Sequence, residues 1–183
     1  AAGADIVELG VPFSDPMAEG PVIQQAHERA LEHGVSLRQV LQMVSEFRRG
    51  DADTPVVLMG YTNPVEAMGY ERFAENAAAS QIDGLLTVDL PPEEGGQLRD
   101  LLAARGIDTI MLLAPTTAPE RLSAVCDSAS GYLYYVSLKG VTGAGHLDTD
   151  SVRDKMALIR QRQAGRARCW RASSRTRPAP GRR

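Results

Sequence analysis

Apolar residues gather into five short runs along the chain: Ile6 to Leu9, Val56 to Tyr61, Leu85 to Leu90, Thr109 to Leu113 and Leu133 to Leu138. Each run is continuously apolar rather than alternating, as expected of parallel strands buried on both faces. The stretches between them carry apolar residues at helical spacing. Leu37, Val40, Leu41, Val44 and Phe47 share one helical face, with Ser36 placed to cap the first turn. Phe73, Ala74, Ala77 and Ala78 form a second face, and Leu98, Leu101 and Leu102 a third, closed by Gly106. Thr117-Ala118-Pro119-Glu120 reads as a capping box before Leu122 and Val125. Asp150 or Ser151 is placed to cap a last helix carrying Val152, Met156 and Ile159.

This strand–helix rhythm predicts an α/β fold with a parallel sheet and right-handed crossovers. An open doubly wound sheet and a (β/α)8 barrel both satisfy it. No G-x-G-x-x-G follows the first strand, which weakens a dinucleotide-binding fold. Chemically distinctive residues sit at the C-terminal ends of several strands, which favours the barrel. Five strands are visible, so three of a closed barrel's eight would be lacking. The opening at Ala1-Ala2-Gly3 reads as the end of a helix and its turn, so the chain is expected to lack its true N-terminus.

With 43% hydrophobic and 23% charged residues among 183, the chain can bury one sizeable core. The net charge of -3 averages two unlike parts. Nine of the 20 basic residues are arginines between Arg160 and Arg183, where no acid occurs, leaving 11 bases against all 23 acids elsewhere. The acidic body gives no reason to expect nucleic-acid binding. The Arg-, Ala-, Ser- and Pro-rich residues 163–183 lack periodicity and are expected to be disordered beside a folded part at 1–162. An out-of-frame or otherwise aberrant origin accounts for such a tail, and a functional basic arm is the alternative. No apolar run nears the roughly 20 residues of a membrane span, and no signal peptide is visible. Cys126 and Cys169 offer neither metal-ligand spacing nor a disulfide framework, and His27, His33 and His146 are scattered. A metal site is not expected, and a reducing, cytoplasmic setting fits.

The first strand and its loop, Val7 to Pro21, concentrate the candidate chemistry. Glu8 interrupts an apolar strand. A carboxylate buried there must be paired, hydrogen-bonded or protonated, and burial raises its pKa toward that of a proton shuttle. A structural carboxylate bonded within the barrel is the other reading. Asp15 and Glu19 follow in a Pro- and Gly-rich loop that restricts the backbone, where Asp15 alone reads as a turn residue. Gly140-Val141-Thr142-Gly143-Ala144-Gly145 is either a flexible connection or a lid that closes over substrate.

The segment Glu8-Leu9-Gly10-Val11-Pro12-Phe13-Ser14-Asp15-Pro16-Met17-Ala18-Glu19-Gly20-Pro21 is similar to the signature of tryptophan synthase alpha chains. It departs at Glu19, where the family has aspartate. Met59-Gly60-Tyr61-Thr62-Asn63-Pro64, Asp89-Leu90-Pro91-Pro92-Glu93-Glu94 and Tyr134 to Ala144 resemble further family segments in the same order. The likeness runs from Ala1 to about Gln161.

The resemblance implies an incomplete (β/α)8 barrel, about strands 2 to 6, and retro-aldol cleavage of indole-3-glycerol phosphate to indole and glyceraldehyde 3-phosphate. It makes Glu8 the proton shuttle and gives Glu19 the place of the carboxylate that accepts the indole N–H. It puts Tyr134 in the same pocket. Thr142 would bond Glu19, and Gly143 would offer its N–H to phosphate. Lys139 would be a non-catalytic lid residue.

The family's partner is the beta chain, in an alpha2-beta2 assembly. Pro12, Asp15, Pro16, Asn63 and the segment after Asp89 would meet it. Pyridoxal phosphate belongs to that chain, so no cofactor is expected here. Two rivals remain: another phosphate-binding barrel aldolase or isomerase, and a catalytically inactive remnant. An aldolase wants a lysine at a strand end, and none of the five runs carries one.

Overall fold

The computed structural model describes residues 3–136 and 153–159. Five parallel strands, β1 (Val7–Gly10), β2 (Val56–Gly60), β3 (Gly84–Thr87), β4 (Asp108–Leu113) and β5 (Leu133–Tyr135), lie in the order β1-β2-β3-β4-β5. Glu8 is in register with Val57, Val57 with Gly84, Leu86 with Ile110, and Leu112 with Tyr134. The connections carry α1 (Pro21–Glu32), α2 (Leu37–Phe47), α3 (Thr62–Met68), α4 (Tyr70–Ala79), α5 (Gly96–Ala103) and α6 (Pro119–Ser128). Residues 153–159 are also helical.

Each strand sits beside its neighbours in sequence, whereas a doubly wound sheet reverses its order and carries helices on both faces. Here the helices cover one face. Val40, Leu41, Val44, Phe73, Ala77 and Leu98 pack there with Leu58 and Leu85. The other face holds Val57, Leu86 and Ile110, flanked by Ile6, Met59, Val88, Leu112, Tyr132 and Tyr134. None of these residues comes from a helix. The architecture is therefore five adjacent strands of a (β/α)8 barrel wall with its inward face open. Gly84 eases the packing of that wall: a Cβ there would lie 2.5 Å from Ile110 Cδ1 and 3.3 Å from Asp108 O, so a larger residue would push the Ile110 side chain aside.

At the N-terminal ends of β2 and β3, a buried arginine ties three segments together. Arg48, 8% exposed, donates Nε–H to Gln81 O at 3.1 Å and Nη1–H to Thr54 O at 2.6 Å and Asp51 O at 3.3 Å. Its Nη2 pairs with Asp83, whose carboxylate also accepts the Val56 N–H at 2.8 Å. Gln81 sits in the left-handed region at φ 60, with its carbonyl aimed at the guanidinium.

The local signals fared unequally. Ser36 begins α2 as expected, with Gln39 Oε1 accepting the Ser36 N–H at 2.7 Å. Gly106, at φ 70, ends α5 while the Ile107 N–H returns to Leu102 O at 3.0 Å. The capping box at Thr117 does not form. Its hydroxyl turns back to accept the Ala114 N–H at 2.9 Å, and α6 starts from Ala118 with Pro119 in the first turn. The run Leu85 to Leu90 contracts to Gly84–Thr87, because Asp89 leaves the strand to bond α3. Residues 137–152, with the expected caps Asp150 and Ser151, and the tail 163–183 lie outside the described residues.

Candidate active site

Glu8 stands midway along β1, and the strand's alternation decides its direction. Val7 and Leu9 face the helices and pack against the outer core, so Glu8 faces inward. It was expected to be buried among apolar residues. The side chain is instead exposed, because the inward face carries no covering layer among the described residues. The walls of this trough still displace part of the water around its carboxyl. That desolvation, reinforced by the negative charge of Glu19, pushes the Glu8 pKa above its ordinary 4.5.

Two tyrosines complete the wall. Tyr132 and Tyr134 are two residues apart at β5 and therefore share its inward side. Desolvation, then the charge of Glu8, pushes the Tyr132 phenol up to about 12. Tyr134 is raised by desolvation and by the charges of both Glu8 and Glu19. The structure thus brings Glu8, Glu19 and Tyr134 within electrostatic reach of one another. Thr142, Gly143 and Lys139 lie outside the described residues.

Glu19 reaches this cluster through a braced loop. Val11 N–H continues the ladder to Met59 O at 2.8 Å, after which Pro12 and Phe13 turn the chain over the strand ends. Phe13 packs its ring 5.1 Å from that of Tyr61, at a 33° tilt. The Tyr61 hydroxyl accepts the Ala18 N–H at 2.9 Å. Glu19 itself gives its N–H to Pro16 O at 3.0 Å, and its carbonyl accepts Gln24 Nε2–H at 3.0 Å. Burial raises the Tyr61 pKa, assisted by the charges of Glu19 and Asp89 and opposed by the Ala18 N–H.

Tyr61 and Tyr132 went unrecognised as site residues in the sequence. Tyr132 was findable from its two-residue spacing to Tyr134. The role of Tyr61 depends on a contact across 43 residues, which no local pattern announces.

The residues expected at a partner surface lie on the rim above these strands. Pro12 and Pro16 are half-buried, Asp15 is exposed and accepts the Ser14 hydroxyl at 2.6 Å, and Asn63 is exposed in the first turn of α3. Asp89, following β3, joins the rim by accepting both the N–H and the hydroxyl of Thr62 at 2.8 Å. A cleft of 390 Å³ opens beside it, lined by Val88, Pro92, Leu112, Thr117 and Arg121 among others. Among the described residues no group of three His, Cys, Asp or Glu side chains could hold a metal ion, and no helix is long and apolar enough to cross a membrane.

The profile of the tryptophan synthase alpha chain family matches residues 1–167. The chain belongs to that family. A tryptophan synthase alpha chain from Thioalkalivibrio sulfidiphilus is 68% identical over 160 residues, covering 87% of this chain and 60% of the relative. One from Marinobacter nauticus is 63% identical over 161 residues, covering 88% and 60%. Among solved structures, the Legionella pneumophila alpha subunit aligns with a TM-score of 0.74 at 46% identity, over 89% of this chain and 58% of that one. The tryptophan synthase α2β2 complex of Pyrococcus furiosus aligns at 0.79 and 42%, over 86% and 63%. The chain therefore spans about 60% of the length of the curated alpha chains it matches. These likenesses agree with the half-barrel seen here.

Proposed function

We propose that this chain supplies the proton-transfer wall of a tryptophan synthase alpha subunit, a lyase of tryptophan biosynthesis that cleaves indole-3-glycerol phosphate into indole and glyceraldehyde 3-phosphate. The observation that carries the reading is Glu8, desolvated against the trough wall, facing the charge of Glu19 and flanked by Tyr134. Cleavage requires a proton at indole C3, which turns the ring into an iminium ion. The hydroxyl on the adjoining side-chain carbon then loses its proton. Its C–O bond becomes the aldehyde, the C3–C bond breaks, and that electron pair restores the neutral indole. A carboxyl group whose pKa is raised by desolvation and a facing charge holds a proton more readily than an ordinary carboxylate and can both deliver and collect it, so Glu8 is the shuttle. Glu19 accepts the ring N–H and offsets the positive charge on the iminium. Tyr134 lines the indole pocket.

All of this chemistry is acid–base, and the reading gives the subunit no cofactor. Pyridoxal phosphate belongs to the beta chain, the proposed partner in an alpha2-beta2 assembly, whose contact surface is the rim at Pro12, Asp15, Pro16 and Asn63. The setting is cytoplasmic. The test is indole release from indole-3-glycerol phosphate by the purified chain, alone and with beta chain. Turnover that Glu8→Gln reduces by roughly 100-fold or more supports the shuttle. Turnover untouched by Glu8→Gln, or none from soluble folded protein, overturns the reading.

A further inference from the structure

The β1–α1 loop is held at both ends by one face of α1. Gln24 and His27 are three residues apart and so lie side by side on the helix. Gln24 Nε2–H is donated to Glu19 O at 3.0 Å, and His27 Nδ1 lies 3.0 Å from the Phe13 nitrogen. From Phe13 the brace continues through its ring to Tyr61, and from the Tyr61 hydroxyl back to Ala18, the residue before Glu19. Nothing else among the described contacts takes up the Phe13 N–H, whereas the Glu19 backbone is bonded on both sides.

We propose that His27 is a positioning residue: as a neutral imidazole it accepts the Phe13 N–H and sets the arc from Phe13 to Glu19 over the trough. The chemistry of the contact dictates the tautomer. An N–H donor faces Nδ1, so this nitrogen must be bare and the ring proton must sit on Nε2. The Phe13 carbonyl, 3.3 Å from the same nitrogen, would be the partner only if the proton sat on Nδ1. The two tautomers thus predict opposite partners on one residue and can be told apart directly. The role in catalysis rests on the reading of Glu19 as the second carboxylate. The brace itself does not.

The experiment uses the full chain and three readouts. Nitrogen-15 spectra of the imidazole should show Nδ1 unprotonated and Nε2 protonated. Amide exchange at Phe13 should accelerate about 5- to 10-fold in His27→Leu, the size of one lost hydrogen bond. It should return toward the parent rate in His27→Asn, whose side-chain oxygen replaces the acceptor. A proton on Nδ1, or a Phe13 amide indifferent to His27→Leu, overturns the brace. If His27→Leu does not fold, the tautomer of the parent and the exchange rate of His27→Asn still decide it.

Where the parent chain releases indole, His27→Leu should lower kcat about tenfold by shifting Glu19 a fraction of the ångström that costs 100-fold, with KM moving less and His27→Asn restoring the rate. An unchanged kcat overturns the positioning role. A parent chain that shows the brace and no turnover counts against the proposed activity and leaves the brace standing.

Discussion

Replacing Arg48 by methionine keeps the aliphatic stem and removes the guanidinium that joins three segments. Four contacts go at once: those to Gln81 O, Asp51 O and Thr54 O, and the ion pair with Asp83. Cutting one partner from a buried charged pair destabilises by about 3–5 kcal/mol, because the remaining charge stays desolvated. Here the Asp83 side chain is 27% exposed against 3% for Arg48, so water recovers part of the loss on the acid side. Asp83 also keeps the Val56 N–H. These two facts place the effect at the lower end, about 3 kcal/mol. With a urea m-value of about 2 kcal/mol/M, the midpoint should fall by roughly 1.5 M at unchanged m. The double variant Arg48→Met/Asp83→Asn should lose less than the sum of the single losses, by about 1–3 kcal/mol. A midpoint within about 0.3 M of the parent, or strict additivity in the cycle, would refute the idea that this ion pair staples the strand ends.

Glu8→Gln should change stability in a pH-dependent way. The folded-state pKa of Glu8 lies above its ordinary 4.5, so the native chain holds this proton more tightly than the unfolded one. Ionised Glu8 then opposes folding. The penalty is absent below pH 4.5 and fully present once the pH passes the raised value. Thermal melts should show Glu8→Gln raising Tm near neutrality and leaving it unchanged near pH 4, and equal shifts at both would contradict the raised pKa. Tyr61→Phe keeps the ring against Phe13 and deletes the acceptor of the Ala18 N–H. It should cost about 1 kcal/mol and speed exchange at Ala18, and an unaltered Ala18 amide would speak against the brace. Glu19→Asp shortens the side chain by one methylene and should raise indole turnover, since a misplacement near 1 Å costs on the order of 100-fold. A lower rate would mean that the loop already compensates for the longer residue.

The barrel-wall fold was legible because its signals are local. The inner-strand runs at Val56 and Leu85 are continuous, and Ser36 and Gly106 mark the ends of α2 and α5 with short-range bonds. Thr117 misled because its hydroxyl had two local donors to choose from and took the one before the helix. The helix α1 gave little signal, since none of its residues is fully buried, and the seven-residue α3 is too short for a clear periodicity.

At the site, Glu8 was visible as a charge within an apolar run, but its exposure was not, because that depends on what covers the inward face. The tie between Tyr61 and Ala18 joins residues 43 apart, and that between His27 and Phe13 joins residues 14 apart. No window of sequence displays either contact. His27 looked like one of three scattered histidines until α1 laid it against the loop.

The proton-shuttle role requires the Glu8 carboxyl to resist ionisation, because the trough partly desolvates it and Glu19 faces it. A carbon-13 NMR titration of the Glu8 carboxyl carbon reads this without any assay of turnover. The predicted curve has its midpoint above 4.5 and moves down when Glu19→Gln removes the facing charge. A midpoint at or below 4.5, indifferent to Glu19→Gln, would contradict the proton-shuttle assignment.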